Sequence, residues 1–183
     1  VVYNGTGTNV DLESLEIGAT YHFAVYEYNV GANNNPDYLT SCSLKGSAST
    51  ATTPAVQTTI IGATNIQATK VTINFTKGNG ASRLILMREN EPVNKLPQDY
   101  SKYTYNSGFG LGNNLGDGNY VVLISGGTGN FTVTGLKPLT TYHISAFEFN
   151  GSATPAYLRD IPAVYNFTTT DVPEASTPTT PSS

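Results

Sequence analysis

The chain has 183 residues, a formal net charge of -4 and only 12% charged residues, against roughly 25% in an average soluble domain. Nine Lys and Arg in an acidic chain cannot build the cationic surface that phosphate backbones require, which excludes nucleic acid as a partner. No run of about 18 apolar residues exists to cross a membrane, and the single cysteine, Cys42, excludes an intramolecular disulfide.

The first segment is organised by a repeat. Val10–Asn29 returns as Phe131–Asn150 at an offset of 121 residues without a gap. Leu15, Tyr21, His22, Glu27 and Asn29 recur as Leu136, Tyr142, His143, Glu148 and Asn150. A two-residue deletion then aligns Tyr38-Leu39 with Tyr157-Leu158 and Pro54 with Pro173, and upstream Val1-Val2 falls on Val122-Leu123. The first copy therefore lacks a counterpart of roughly residues 56–121. Residues 1–55 are expected to be the C-terminal half of a module, 56–170 a complete module and 171–183 a Pro/Thr/Ser-rich linker. A half module left alone exposes an apolar face and unpaired edges. Truncation of a longer protein is the expected cause, with completion by strands of another copy as the alternative.

Tyr38–Leu44 reads as strand-like, with Cys42 a small, partly buried side chain rather than a reactive thiol, since no His or cation adjoins it. Residues 46–59 read as the junction between modules plus a last strand. Residues 69–76 alternate, with Val71, Ile73 and Phe75 on one face, the period of a half-buried strand. Gly78-Asn-Gly80 supplies a turn and residues 83–88 an apolar strand. The segment from Arg88 to Asn119 is long enough to be functional or to hold a hairpin, and Tyr100–Tyr105 favours a short edge strand within it. Residues 119–124, 130–134, 141–149 and 163–169 complete about seven strands in about 115 residues, the rhythm of a two-sheet sandwich. No ten-residue window shows capped helical periodicity.

The run Leu136-Lys-Pro-Leu-Thr-Thr-Tyr142-His-Ile-Ser-Ala-Phe-Glu-Phe-Asn150 resembles fibronectin type III domains, whose signature is Leu, often Pro, then Thr-x-Tyr leading into alternating apolar residues. The resemblance covers the chain to about residue 170. It is strongest to repeats of large secreted proteins of Bacteroidota, through Gly118-Asn-Tyr-Val-Val122 and Val25-Tyr-Glu-Tyr-Asn29. It implies an all-β fold of tandem fibronectin type III-like, immunoglobulin-like sandwiches, the first copy partial. It also implies a tyrosine corner at Tyr142 and at its twin Tyr21, the ring buried and the hydroxyl bonded to backbone upstream. The Trp common in the second strand of such domains is absent, and Phe75 is expected in its place.

Residues that could carry chemistry have structural readings. His22 and His143 occupy one equivalent position in two modules and are expected on the sheet surface, since one His per module assembles neither a metal site nor a catalytic group. Counting by two from Tyr142 turns Glu148 inward, where an unpaired carboxylate costs several kcal/mol. Arg88, continuing the Leu84/Leu86 face, is the expected ion-pair partner. A general-acid role for Glu148 lacks a second carboxylate. Gly108–Gly116 is no phosphate loop, because no helix follows it. Asp117-Gly-Asn119 lacks the ligand ladder of a calcium loop. Neither metal nor cofactor is expected. The Asn-x-Ser/Thr matches at Asn4, Asn74, Asn130, Asn150 and Asn166 follow from an Asn- and Thr-rich composition.

Tyr26, Tyr28, Phe147 and Phe149 alternate onto the outward face. They are expected to lie beneath the 89–118 segment, with sugar stacking as the alternative. Tyr100, Tyr103, Tyr105 and Phe109 in that segment are further candidates for binding. The expected function is a non-catalytic spacer or adhesion module of a larger extracellular or cell-surface protein, perpetuated as a string of repeats. Its expected partners are neighbouring modules or other copies of the chain. The alternative is a carbohydrate-binding accessory module of a secreted hydrolase, with surface glycan as the ligand.

Overall fold

The computed structural model describes residues 2–173, and every regular element there but one short 3-10 turn is a strand, so the protein is all-β. Most of the expected 171–183 linker lies outside the described residues. The chain divides into two compact units between Thr52 and Thr53, three residues before the expected boundary. Local bonding explains the shift. Asn79 Oδ1 accepts the N–H groups of Ala55 and Val56 at 3.0 and 2.8 Å, and Asn79 N–H donates to Val56 O at 3.1 Å, which ties these residues to the second unit.

The first unit contains β1 (Thr20–Val25), β2 (Tyr28–Val30), β3 (Pro36–Tyr38) and β4 (Leu44–Ser49). β1 pairs antiparallel with β4 from Thr20↔Ser49 to Val25↔Leu44, and β2 with β3 from Tyr28↔Tyr38 to Val30↔Pro36. Between β2 and β3 the chain turns at Asn33 and Asn34, both at positive φ, a conformation that Asn tolerates better than most residues. The strand-like reading of 38–44 is corrected: β3 ends at Tyr38, residues 41–42 form a bend, and Cys42 is exposed. Thr40-Ser-Cys-Ser43 offers no apolar alternation with which a sheet face could be buried.

The second unit contains β5 (Thr59–Thr64), β6 (Lys70–Thr76), β7 (Ser82–Glu89), β8 (Tyr120–Ser125), β9 (Gly129–Thr134), β10 (Thr141–Asn150), β11 (Ala156–Tyr157) and β12 (Ala163–Thr168). One sheet runs β5–β6–β9, the other β8–β7–β10, with β11 and β12 both paired to the far side of β10. β6 shows why the sheets stack. Val71, Ile73 and Phe75 are buried, Thr72 and Asn74 between them are half-buried, Lys70 and Thr76 at the ends are exposed, and the Thr72 hydroxyl bonds across to Thr132 at 3.2 Å. That is the pattern of a strand with one solvated face.

β7 differs, because Arg83 through Met87 are all buried. Ile85 and Met87 join Val71, Ile73, Val133, Tyr142, Ile144 and Ala146 between the sheets. Leu84 and Leu86 join Val121, Phe147, Phe149 and Tyr157 on the opposite face. Full burial of a Leu or Phe side chain contributes about 1.5–3 kcal/mol, so this second cluster matters to stability.

The cover over it comes from residues 90–119. The expected strand at Tyr100–Tyr105 does not form, since Tyr100 sits at φ 66 and its N–H donates to Pro155 O at 2.8 Å. Backbone pairing occurs further along. Asn106 N–H donates to Val121 O (3.2 Å) and Val121 N–H to Asn113 O (2.9 Å), against the edge of β8. Phe109 N–H donates to Thr134 O and Thr134 N–H to Ser107 O, both at 2.9 Å, against the edge of β9. One strap thus satisfies backbone on the edges of both sheets. Its close approach needs Gly112, where a Cβ would lie 2.0 Å from Val121 O.

Candidate functional site

The densest polar arrangement is a buried node at the end of β10. Register places Glu148 opposite Arg83, and both side chains are fully buried with Arg83 Nε 2.8 Å from Glu148 Oε1. Oε1 also accepts from the Thr58 hydroxyl and from Gly78 N–H (3.1 Å), and Oε2 accepts Gly80 N–H at 2.9 Å. Glu148 N–H donates to Gln57 Oε1 at 2.6 Å. Arg83 Nη1 donates to Gly127 O, and the guanidinium carbon stands 5.3 Å from the Phe75 ring centroid, a cation–π contact. Among the described residues, Arg83 Nη2 is the buried side-chain polar atom without a hydrogen-bond partner. The carboxylate therefore ties together the segment entering β5, the β6–β7 turn, β7 and β10.

The expected Arg88–Glu148 pair is corrected: Arg83 holds Glu148, and Arg88 lies on the other face. Arg88 Nε donates to Asp117 O at 3.0 Å and Nη1 to Pro92 O at 2.8 Å, so this side chain staples the two ends of the strap. Beside it, the exposed Lys95–Asp117 pair at 2.9 Å lowers the Asp117 pKa through a hydrogen bond and charge attraction. Asn119, fully buried, accepts Asn94 N–H at 3.2 Å and donates to Asn94 Oδ1 and Gly116 O at 2.8 and 2.7 Å.

The tyrosines at the two sheet corners make matching bonds. Tyr142 Oη accepts Lys137 N–H at 3.0 Å, and Tyr21 Oη accepts Glu16 N–H at 2.8 Å. Burial raises the Tyr142 pKa, and it raises that of Tyr157 much further. The Lys137 pKa is raised by its exposed pair with Glu89, at 2.8 Å. Phe75 is buried in β6, its ring 6.1 Å from that of Phe131.

The aromatic candidates divide between the units. Phe147 and Phe149 are not open rings: they are buried beneath Val93, Tyr103 and Leu115 of the strap, with Tyr157 4.9 Å from Phe149. Phe109 is not a surface ring either. It plugs the sandwich edge, 5.3 Å from Tyr120 and 5.1 Å from Tyr142, both edge-on. Tyr103 is half-buried, 6.2 Å from Tyr157, whereas Tyr100 and Tyr105 are exposed. The expected cover over Tyr26 and Tyr28 is corrected: in the first unit both rings, and Tyr38, are exposed, while Val93, Tyr103 and Leu115 of the strap pack on the Phe147 and Phe149 cluster. The Tyr28 and Tyr38 rings stand 5.3 Å apart at 46°, and Tyr28 Oη donates to Asn4 Oδ1 at 2.7 Å.

His22 is exposed and His143 half-buried on the outer face, opposite Arg88 and Asn166 in register. Among the described residues no group of three or more His, Cys, Asp or Glu side chains is placed to hold a metal, and no helix is long and apolar enough to cross a membrane. Sequence reasoning missed Arg83, Thr58, Gln57 and Tyr157. A cation beginning an apolar run just after Gly78-Asn-Gly80 was the available signal for Arg83.

No protein-family model matches the chain, and no curated protein does. Solved structures similar to it include a human fibronectin type III domain, at 18% identity and TM-score 0.39 over 69% of this chain and 83% of that one. The sensor domain of the anti-sigma factor RsgI4 of Pseudobacteroides cellulosolvens is similar at 17% identity and TM-score 0.38, over 64% and 96% of the two chains. The chicken CNTN1 FN1-FN3 domains are similar at 15% identity and TM-score 0.37, over 88% and 46%. Strand order and register carry the sandwich assignment of the second unit by themselves.

Proposed function

We propose that this chain is a non-catalytic spacer or adhesion segment of a larger extracellular or cell-surface protein, built from fibronectin type III-like modules. The first unit, on this reading, is the C-terminal half of one module and the second a complete one. The observation that carries it is the fate of the groups that could do chemistry. The buried Glu148 carboxylate is taken up by Thr58, Gly78, Gly80 and Arg83, and no part of it faces solvent where a substrate could reach it. Phe147, Phe149 and Tyr157 of the second unit pack beneath the strap. A module so organised transmits position and load, and neighbouring modules or other copies are its partners.

A second reading, glycan binding, is favoured by Tyr26, Tyr28 and Tyr38 lying open on the first unit, although the 46° tilt of two of them makes no flat platform. Thermal-shift measurements against a panel of soluble plant and bacterial oligosaccharides separate the two. A spacer shows no shift at millimolar sugar. A rise of several degrees that is lost in Tyr26→Ala/Tyr28→Ala would replace the spacer reading with glycan binding, because a ligand of the folded state stabilises it by mass action.

A further inference from the structure

We propose that the first unit is an acceptor for a β-sheet half whose defining feature is an arginine set opposite Glu27, an inference that rests on the half-module reading above. Among the described residues β1 is bonded along one edge only, to β4. In the second unit the equivalent strand β10 is bonded on both edges, to β12 and to β7. The two hairpins share their register: Tyr21↔Ala48, Phe23↔Gly46 and Val25↔Leu44 correspond to Tyr142↔Phe167, Ile144↔Tyr165 and Ala146↔Ala163. Bulk is exchanged within a pair, Phe23 lying over Gly46 where Ile144 lies beside Tyr165. That is how one face is kept the same thickness with different residues.

On β10 this face is buried. On the first hairpin it is open, with Phe23 50%, Val25 54% and Leu44 70% exposed. An apolar face beside a free edge is a template for pairing.

Charge says what kind of strand fits. Glu27 corresponds to Glu148, whose carboxylate takes Arg83 Nε, two glycine N–H groups and a threonine hydroxyl. Among the described residues the Glu27 side chain has none of these, and it is exposed. The occupant to which the geometry points is a half-sandwich of this chain's own kind, patterned on residues 53–121. Its Ser82–Glu89-like strand would run antiparallel to β1, with Arg opposite Glu27 and apolar residues opposite Val25 and Phe23. A strand without that arginine would bury Glu27 unpaired, so the carboxylate selects the partner as well as the register.

The test joins a copy of residues 53–121 directly ahead of Val1 in the full chain, the gapless junction given by the 121-residue offset. Amide hydrogen exchange of residues 20–25 is expected to slow by at least ~100-fold towards that of β10. Arg83→Gln in the added copy, or Glu27→Gln, should remove most of that gain, whereas Arg88→Gln in the added copy should not. Glu27→Gln in the chain without the added copy should leave exchange at residues 20–25 unchanged, which makes the effect a coupling rather than a general loss of folding. A full gain that ignores both the arginine and Glu27 would overturn the inference and leave the half-module reading intact. No gain at all would overturn both.

Discussion

Glu148→Gln perturbs the buried node with almost no change in side-chain volume. The native carboxylate accepts four hydrogen bonds, two of them from Gly78 and Gly80 backbone and one from a fully buried guanidinium. A glutamine has one acceptor oxygen in place of two and turns its NH2 group towards N–H donors. It also leaves Arg83 charged, buried and opposite a neutral partner. Breaking a buried pair from one side costs about 3–5 kcal/mol, a large share of the roughly 5–15 kcal/mol that holds a domain folded. With a urea m-value of about 2 kcal/mol/M, the unfolding midpoint of the second unit should fall by about 2 M. The chain has no Trp, so urea titration is followed by tyrosine fluorescence, with amide exchange along β10 to assign the transition to this unit. Arg83→Met should be milder, since the carboxylate keeps the Thr58 hydroxyl and both glycine N–H groups. A Glu148→Gln midpoint within about 0.3 M of the wild type, or an Arg83→Met loss larger than the Glu148→Gln loss, would refute the view that this carboxylate is the hub.

Three further outcomes follow from the same geometry. Gly78→Ala would place a Cβ 2.0 Å from Val56 O, so calorimetry should show the second unit destabilised by more than about 2 kcal/mol, although Gly78 itself is not at positive φ. Phe109→Ala removes the plug between Tyr120 and Tyr142 and should cost about 2 kcal/mol, less than a fully buried Phe, with faster amide exchange at residues 106–113 but not along β6. Because burial raises the Tyr142 and Tyr157 pKa values, their stabilising effect is fully present below the unfolded value of about 10 and is lost as pH rises through the folded values. Thermal stability should therefore fall above about pH 10, and less steeply in Tyr157→Phe, as read by melting curves from pH 8 to 12.

The all-β architecture, the strand positions of β6 to β10 and the equivalence of the two hairpins were legible in the amino-acid sequence. They were so because β6 has one solvated face, so that Val71, Ile73 and Phe75 alternate visibly with polar residues, and because Tyr21 and Tyr142 recur with their whole surroundings. The inward direction of Glu148 was equally legible by counting from Tyr142. The identity of its partner was not. Arg83 through Met87 are buried on both faces, so an apolar run without alternation carries no parity, and Arg88 could be placed on the wrong side. How the strap is held was not legible for a related reason: residues 90–119 hold backbone by approach to the β8 and β9 edges rather than by any period of their own. That Phe147 and Phe149 are covered while Tyr26 and Tyr28 are open is a matter of packing, because alternation says which face a ring is on and nothing about what lies above it.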